Sequence, residues 1–459
     1  MTTRTIETFD LVVVGTGAAA SAPISKCRAA GWRVAVVDDQ PYGGTCSNRG
    51  CDPKKVLVGA ASLIDWHRRM TGSGLDGNTT IDWPALMRFK RTFTDPVPAR
   101  TEEKFADAGI FTFHGAARFT AVDQIAITDS EGETRAVKAT HFLIASGATP
   151  VPLKIPGEND VCTSTDFLEL DELPARIAFI GAGYISLEFA HLVQRAGSHA
   201  TVFGRDVALA HFDQDLVERL VSHSKNLGID IRTEADVTAI EKCGDGYRMH
   251  VATDSGTSTI DADLVVHGAG RIPGTKALDL ESGHVGVDKR GAITVNEFMQ
   301  STTNPSVYVA GDCALPPGSL PLTPVASHEG FIVASNLLHG NKKQPDYRGI
   351  PSVVFTEPPL AMVGLTEADA RRQSRKIRVK CEDTSSWFSS RHVRETASMF
   401  KTIVDEETGH ILGTHLLGPH AAEVINIFAL AIRNDLTVTD LKHMIYSYPT
   451  SSSDVSHML

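Results

Sequence analysis

The chain has 459 residues, 42% of them hydrophobic and 22% charged, with a formal net charge of −11. That length exceeds one compact core and calls for about two to four domains. The acidic balance argues against nonspecific binding to nucleic acid or an anionic membrane, and no apolar run reaches bilayer-spanning length.

The first ten residues carry no basic region followed by an apolar stretch and a small-residue cleavage site, so no signal peptide is read there. Seven cysteines are an odd number, unlike a secreted disulfide framework. The expectation is a cytoplasmic protein in which any disulfide is catalytic or redox-sensing. Only Cys46 and Cys51 are close in sequence. Cys27, Cys162, Cys243, Cys313 and Cys381 are expected to be small buried hydrophobes.

In chain order, Phe9 to Val14 reads as a buried strand, and Gly15-Thr-Gly17-Ala-Ala-Ala20 as a tight turn that opens a small-residue helix to Ala30. Gly31 stops that helix, and Trp32 to Val37 reads as a second buried strand ending at Asp38. This is a βαβ unit, and its continuous apolar runs suit parallel strands buried on both faces. A glycine motif alone is weak. Here it follows a strand, opens a helix and has an acid 21 residues beyond Gly17, the context of a dinucleotide site, with Ala20 in place of the third glycine. Gly15 permits the turn and Gly17 lets the backbone approach a pyrophosphate, while the helix start supplies amides and the positive dipole end. Asp38 is the candidate acceptor for ribose hydroxyls.

Gly43-Gly-Thr-Cys46-Ser-Asn-Arg-Gly-Cys51-Asp-Pro-Lys-Lys55 follows. On a regular helix, cysteines five apart would be separated by about 7.5 Å along the axis, too far for a relaxed disulfide. The chain must therefore be irregular between them, and Gly50 eases that. Pro53 suits the first turn of a helix. A Cys51 thiolate near that start would gain from the dipole and amides, with Lys54 and Lys55 helping and Asp52 opposing. A CxxxxC pair with no second pair and no histidine at ligand spacing makes a poor resident metal site.

His141 to Gly147 reads as another buried strand, and Pro150 to Pro156 as a crossing between domains. A second βαβ unit runs from Arg176–Ile180 through Gly181-Ala-Gly183-Tyr-Ile-Ser186, a helix to Arg195, a stop at Gly197 and the strand Ala200–Phe203. That strand ends in Gly204-Arg205. With no acid to accept from a 2′-hydroxyl and an arginine suited to a 2′-phosphate, NADPH is favoured over NADH. Leu264 to Gly270 closes this unit, and Val307 to Asp312 is a further strand ending in an acid. After about residue 345, strand candidates at Ser352–Thr356, Ala361–Leu365 and Lys401–Val404 alternate with helices, which predicts a separate α+β domain.

Residues Gly43 to Leu57 resemble the signature GGTCxNxGCxPxKxL of the class I pyridine nucleotide–disulfide oxidoreductases, the family of glutathione reductase, dihydrolipoamide dehydrogenase and mercuric reductase. The resemblance continues through the Gly181 motif with Tyr184 and Glu188, Gly270-Arg271-Ile-Pro273, Ala310-Gly311-Asp312, Leu322-Thr-Pro-Val-Ala326, Phe355-Thr-Glu-Pro and Val363-Gly-Leu-Thr-Glu367. It implies an α/β fold with two Rossmann-like dinucleotide-binding domains, for FAD and NAD(P), and a C-terminal α+β dimerisation domain. The boundaries implied are 1–150 for the first part of the FAD domain, 151–272 for the NAD(P) domain, 273–343 for a central return segment and 344–459 for dimerisation.

The resemblance also implies roles. Cys46 would be the thiol that meets substrate and Cys51 the thiol against the flavin. Lys55 would sit by the flavin, paired with Glu188. Asp312 would hold the ribityl chain, and Tyr184 would cover the nicotinamide pocket. Further cofactor contacts are expected from Gly15, Gly17, Ala18, Asp38, Gly44, Thr45, Gly147, Gly181, Gly183, Ile185, Arg205, Gly270, Arg271, Gly311, Thr323 and Ala326. The C-terminal domain would form a homodimer and complete the partner's active site.

The family chain ends near HPTxxE, whose histidine is the general acid–base and whose glutamate orients it. Here the segment is Tyr448-Pro449-Thr450-Ser451-Ser452-Ser453, with Asp454 one place beyond the glutamate position. Tyrosine, with a pKa near about 10, is a poor base at neutral pH but can donate a proton or hydrogen bond. His443 and His457 are read as ordinary histidines. Mercuric reductases also resemble this chain in having tyrosine there, yet no cysteine follows Cys381 to form their C-terminal pair. The leading expectation is electron transfer from NADPH through FAD to Cys46–Cys51 and on to a small-molecule or small-protein disulfide. The alternatives are a soft metal ion as acceptor, or diaphorase or quinone reduction that bypasses the cysteines.

Overall fold

The structure, a computed structural model, describes residues 6–373 and 376–459. The chain folds into two compact units. One takes the N-terminal stretch through Pro53, Arg91–Val151 and Arg271–Tyr347; the other takes Lys54–Lys90, Pro152–Gly270 and Arg348–Leu459.

In the first unit, Phe111–His114, Val34–Asp38, Glu7–Val14, Thr134–Ile144 and Val307–Val309 lie parallel in that order. Gln124–Thr128 and Ala116–Ala121 extend the sheet from Thr134–Ile144 as antiparallel strands. Leu11, Val12, Val13, Val34, Val36 and Phe142 are fully buried, which is why these strands read as unbroken apolar runs. The helices Ala18–Ala29 and Thr323–His339 cross where Gly330 meets Ala19; a Cβ on Gly330 would come within 2.3 Å of the Ala19 carbonyl. The short strands Ala148–Pro150 and Arg271–Pro273 pair antiparallel.

In the second unit, Asp230–Arg232, His199–Phe203, Arg176–Ile180 and Leu264–His267 form a parallel sheet. An antiparallel meander, Asp236–Cys243, Gly246–Thr253 and Gly256–Ala262, adjoins it in sequence. Residues beyond Arg348 build a five-stranded antiparallel sheet in the order Ser352–Val354, Leu360–Gly364, Ile411–Leu417, Met399–Asp405, Ile377–Asp383, with the helix Ala421–Arg433 packed on it. Leu57, Ala61, Trp83 and Met87 share one apolar cluster with Phe167, Leu187 and Val354, so the stretch Lys54–Lys90 packs with this unit although it follows the first βαβ in sequence.

The cysteine expectation needs correction. Cys27 and Cys313 are buried and Cys162 is half-buried, but Cys243 and Cys381 are exposed. Cys243 ends a strand at a hairpin, and Cys381 lies on the edge strand of the antiparallel sheet, where one flank has no neighbour among the described residues. No described helix is long and apolar enough to cross a membrane.

Candidate active site

The redox segment folds as two helices, Gly44–Arg49 and Cys51–Met70, broken at Gly50. Gly50 has φ −141° and ψ −114°, and a Cβ there would come within 2.8 Å of the Thr45 carbonyl. The absence of a side chain is what lets the second helix fold back against the first. Cys46 Sγ then hydrogen-bonds Cys51 and lies 3.9 Å from Asp52 Oδ1. Cys51 Sγ is 3.5 Å from Thr323 Oγ1. The Cys46 thiol is held well above its ordinary value of 9.0, first by the hydrogen bond to Cys51 and then by burial. Cys51 is the first residue of its helix, where dipole and amides favour a thiolate. Cys46 therefore holds its proton more tightly than a free thiol. Asn48, which the sequence reading passed over, braces the first helix by donating to the carbonyls of Tyr42 and Gly44 at 3.0 and 3.1 Å.

The Gly15–Asp38 fingerprint fits a dinucleotide. Gly15 has φ +98° and a Cβ on it would strike the Ala145 carbonyl at 2.3 Å. Gly17 caps the helix Ala18–Ala29 without a side-chain hydrogen bond, and no acid sits in the first turn, so the leading amides have no side-chain acceptor. Gly44 packs straight onto Gly17, where a Cβ would lie 2.4 Å from the Gly17 Cα, and Thr45 follows it, exposed. Asp38 accepts from Thr16 N and Oγ1 at 2.8 and 2.7 Å and from Gln40 N at 3.0 Å. Three donors leave acceptor capacity on the carboxylate for ribose hydroxyls.

Gly147 has φ +65°, and Arg271 donates to the Ala148 carbonyl. Gly270 is also left-handed, with φ +109°. Gly311 N donates at 2.7 Å to Glu329, a fully buried acid that also accepts from Ser319 Oγ and Tyr347 OH. Glu329 thus anchors the loop that carries Asp312, and a lone glutamate inside an apolar helix gave no signal of that. Burial raises the pKa of Asp312 while Arg271 opposes the rise. Ala326 packs 3.4 Å from where a Gly311 Cβ would be.

The second fingerprint repeats the first with one difference. Gly183 caps the helix Tyr184–Ala196 without a side-chain bond, Gly181 has φ +98°, and Ser186 Oγ is buried without a hydrogen-bond partner among the described residues, a polar atom suited to a ligand. Tyr184 is half exposed at the helix start and Ile185 is partly buried against the core. Strand registers equate Ile180–Phe203 with Val14–Val37, so Gly204 stands where Asp38 stands in the first copy. A Cβ on Gly204 would come within 2.6 Å of Ala182 Cβ. The position therefore offers no carboxylate, and Arg205 beside it is exposed.

One expected pairing is wrong by one residue. Lys54, not Lys55, pairs with Glu188, with Nζ 2.8 Å from Oε2. Adjacent helical residues point about 100° apart, and Lys55 lies over the Phe355 ring, with its Nζ 4.2 Å from the ring centre. Glu188 is 1% exposed, so burial raises its pKa, and Lys54 holds that rise back. Burial lowers the pKa of Lys55.

At the C-terminal tail, Tyr448 is 80% exposed. Asp454 accepts from Ser389 Oγ beside a cavity of about 30 Å³ that Ser390 and Ser451 also line. Burial raises its pKa. Its carboxylate is thus committed to the C-terminal domain's own packing. His457 stacks edge-on against Trp387, and His443 ends a short helix.

These features converge on one family, and comparison with known proteins agrees. Residues 9–330 match the family described as pyridine nucleotide-disulphide oxidoreductase, and residues 350–459 match its dimerisation domain. The chain belongs to the pyridine nucleotide–disulphide oxidoreductases. It is 31% identical to a glutathione reductase of Burkholderia cepacia over 97% of both chains. It is 32% identical to a mercuric reductase of Staphylococcus aureus, over 96% of this chain and 80% of that one. A dihydrolipoyl dehydrogenase of Chlamydia pneumoniae is also 32% identical, over 97% and 95%. Among solved structures, the Cu(II) complex of the HOCl-induced flavoprotein disulfide reductase RclA from Escherichia coli superposes with a TM-score of 0.88, at 27% identity and 99% coverage of both chains. Family membership makes this chain an FAD-dependent NAD(P)H disulfide oxidoreductase, and its dimerisation domain makes it a homodimer.

Proposed function

We propose that electrons enter from NADPH and leave through Cys46, with Cys51 as the flavin-side thiol and the Lys54–Glu188 pair on the nicotinamide side. The observation that carries this reading is the turn at Gly50, which brings both sulfurs together at the start of a helix. FAD, when bound, accepts two electrons from the nicotinamide and passes them to the disulfide. Thr16, Gly17, Asp38 and Asp312 would hold it; Gly183, Ser186 and Arg205 would hold the nicotinamide nucleotide. NADPH is preferred because Gly204 carries no carboxylate to accept from a 2′-hydroxyl and Arg205 can meet a 2′-phosphate. A cytoplasmic setting, where thiols are kept reduced, suits the exposed cysteines.

With a disulfide acceptor, Cys46 gives up its proton as it attacks one sulfur and forms a mixed disulfide, and the thiolate released takes that proton. Cys51 then attacks Cys46, releases the second thiol and restores the Cys46–Cys51 disulfide. Both departing thiolates need protons. Losing a dedicated acid–base group costs about 10²–10⁴-fold.

A second reading, a soft or redox-active metal ion as substrate, is favoured by the commitment of Asp454 to Ser389. Electron transfer to a metal bound by Cys46 and Cys51 frees only those two thiolates, which stay on the protein, so no substrate thiol has to be protonated as it departs. The relatives named mercuric reductase and the copper-bound RclA structures support the same reading.

The test is an anaerobic titration with NADPH, and in parallel NADH, recording the flavin spectrum. A long-wavelength charge-transfer band after one equivalent supports the thiol path; bleaching without it sinks that path and leaves diaphorase or quinone reduction. Turnover with glutathione disulfide against Hg(II) or Cu(II) then separates the two acceptor readings.

A further inference from the structure

Three hydrogen bonds tie one face of the helix Tyr184–Ala196 to the backbone of residues 355–357. Phe355 N donates to Glu188 Oε1 at 2.8 Å, Glu357 N donates to His191 Nδ1 at 3.2 Å, and Arg195 Nη2 donates to the Glu357 carbonyl at 3.0 Å. Glu188, His191 and Arg195 follow at three- and four-residue steps, so they stack along one helix face. All three are buried. The same short stretch also meets the helix Cys51–Met70: Ser62 Oγ donates to Glu357 Oε1, and the Phe355 ring lies 4.7 Å from Lys54 Nζ. It therefore straps together the two helices that supply Lys54 and Glu188.

His191 is built into this strap in one tautomer. Its Nδ1 receives Glu357 N and also Arg195 Nη1, both at 3.2 Å. Its Nε2 lies 2.8 Å from Ser224 Oγ, whose own proton goes to the Leu220 carbonyl at 2.7 Å. Nδ1 is thus the acceptor and Nε2–H the donor of a neutral ring. Burial and the neighbouring Arg195 charge keep it neutral, with its pKa well below 6.5.

The two oxygens of Glu188 have separate partners. Oε2 holds Lys54, and Oε1 is aimed by the Phe355 amide. That amide is two residues from Glu357, whose own amide is fixed by His191. We propose that His191 is a positioning residue for the Lys54–Glu188 pair, acting through the Phe355–Glu357 strap. This rests on the nicotinamide-side role given to that pair above.

Two substitutions separate the ring's two nitrogens. In His191→Asn the amide oxygen sits near the Nδ1 position, so the strap keeps an acceptor. In His191→Gln the amide sits near the Nε2 position, so Ser224 keeps a partner and the strap loses one. Purified variants are compared for FAD content, melting temperature and the limiting rate of flavin bleaching by NADPH. The expected result is a His191→Asn rate within about twofold of wild type and a His191→Gln rate about tenfold lower. FAD content and melting temperature should match between the two variants, and the NADPH concentration dependence should not move. Equal rates, or a slower His191→Asn, would overturn the proposal.

Ser224→Ala decides the same question should either histidine variant fail to fold. It leaves Nδ1 untouched and should bleach at the wild-type rate; a tenfold loss would point to packing and overturn the proposal. Glu188→Gln is the reference. If it bleaches at the wild-type rate, the role of the Lys54–Glu188 pair falls and this inference with it. If it is slow beside a fast His191→Gln, this inference alone falls.

Discussion

Lys54 Nζ lies 2.8 Å from Glu188 Oε2, whereas Lys55, its neighbour on the same helix, lies over the Phe355 ring and acts on Glu188 only through its charge. The two lysines should therefore respond differently to the same substitution. Lys54→Met leaves a carboxylate that is 1% exposed without its cation, a change that costs about 3–5 kcal/mol. Lys55→Met removes a ring contact worth about 1 kcal/mol. Denaturant unfolding of the FAD-loaded variants checks this, and equal losses would contradict the assignment.

The Cys46 thiol is held above its ordinary value of 9.0, chiefly by Cys51. In the reduced protein, alkylation of Cys46 by iodoacetamide should be slow at neutral pH and rise about tenfold per pH unit until the thiol titrates. Cys51→Ser should shift that curve to lower pH by removing the largest cause. A profile that is flat across pH 7–9 would contradict the placement of the proton. The stability sign follows from the same shift: a pKa raised on folding contributes below the ordinary value and is lost as pH rises past it.

Asp454 accepts from Ser389 inside the C-terminal domain. Asp454→Asn should cost about 1 kcal/mol of stability through that part-buried hydrogen bond and leave the pH profile of turnover unchanged. Loss of one limb of the profile would instead make Asp454 the acid–base group that replaces the missing histidine.

Arg205 is exposed next to a position with no acid. Arg205→Ala should raise KM for NADPH about tenfold at low ionic strength, less at high salt, and leave KM for NADH nearly unchanged. Parallel rises for both coenzymes would remove the 2′-phosphate reading.

Both βαβ units were legible because each joins an unbroken apolar strand to a glycine turn, a pattern set by local sterics. The cysteine pair and the break at Gly50 were legible for a related reason: a regular helix cannot bring those sulfurs together. The choice between Lys54 and Lys55 was not. It depends on which helix face meets Glu188, more than 130 residues away in sequence. Glu329 and His191 were equally silent, since a single polar residue in an apolar helix gains its meaning only from distant partners. The direction of Asp454 belongs to the same class. Its spacing from Tyr448 resembled a displaced catalytic acid, yet its carboxylate is claimed by a serine 65 residues earlier.

The contact between Gly204 and Ala182 also bears on how such a chain can change over evolutionary time. A side chain at 204 would bring its Cβ within 2.6 Å of the Ala182 methyl, so an acid there obliges the turn to shift. The first βαβ unit holds Asp38 beside Thr16 in the equivalent pair, with the hydroxyl donating to the carboxylate. A switch of coenzyme at this position is therefore a matter of resetting one turn as well as of exchanging charge.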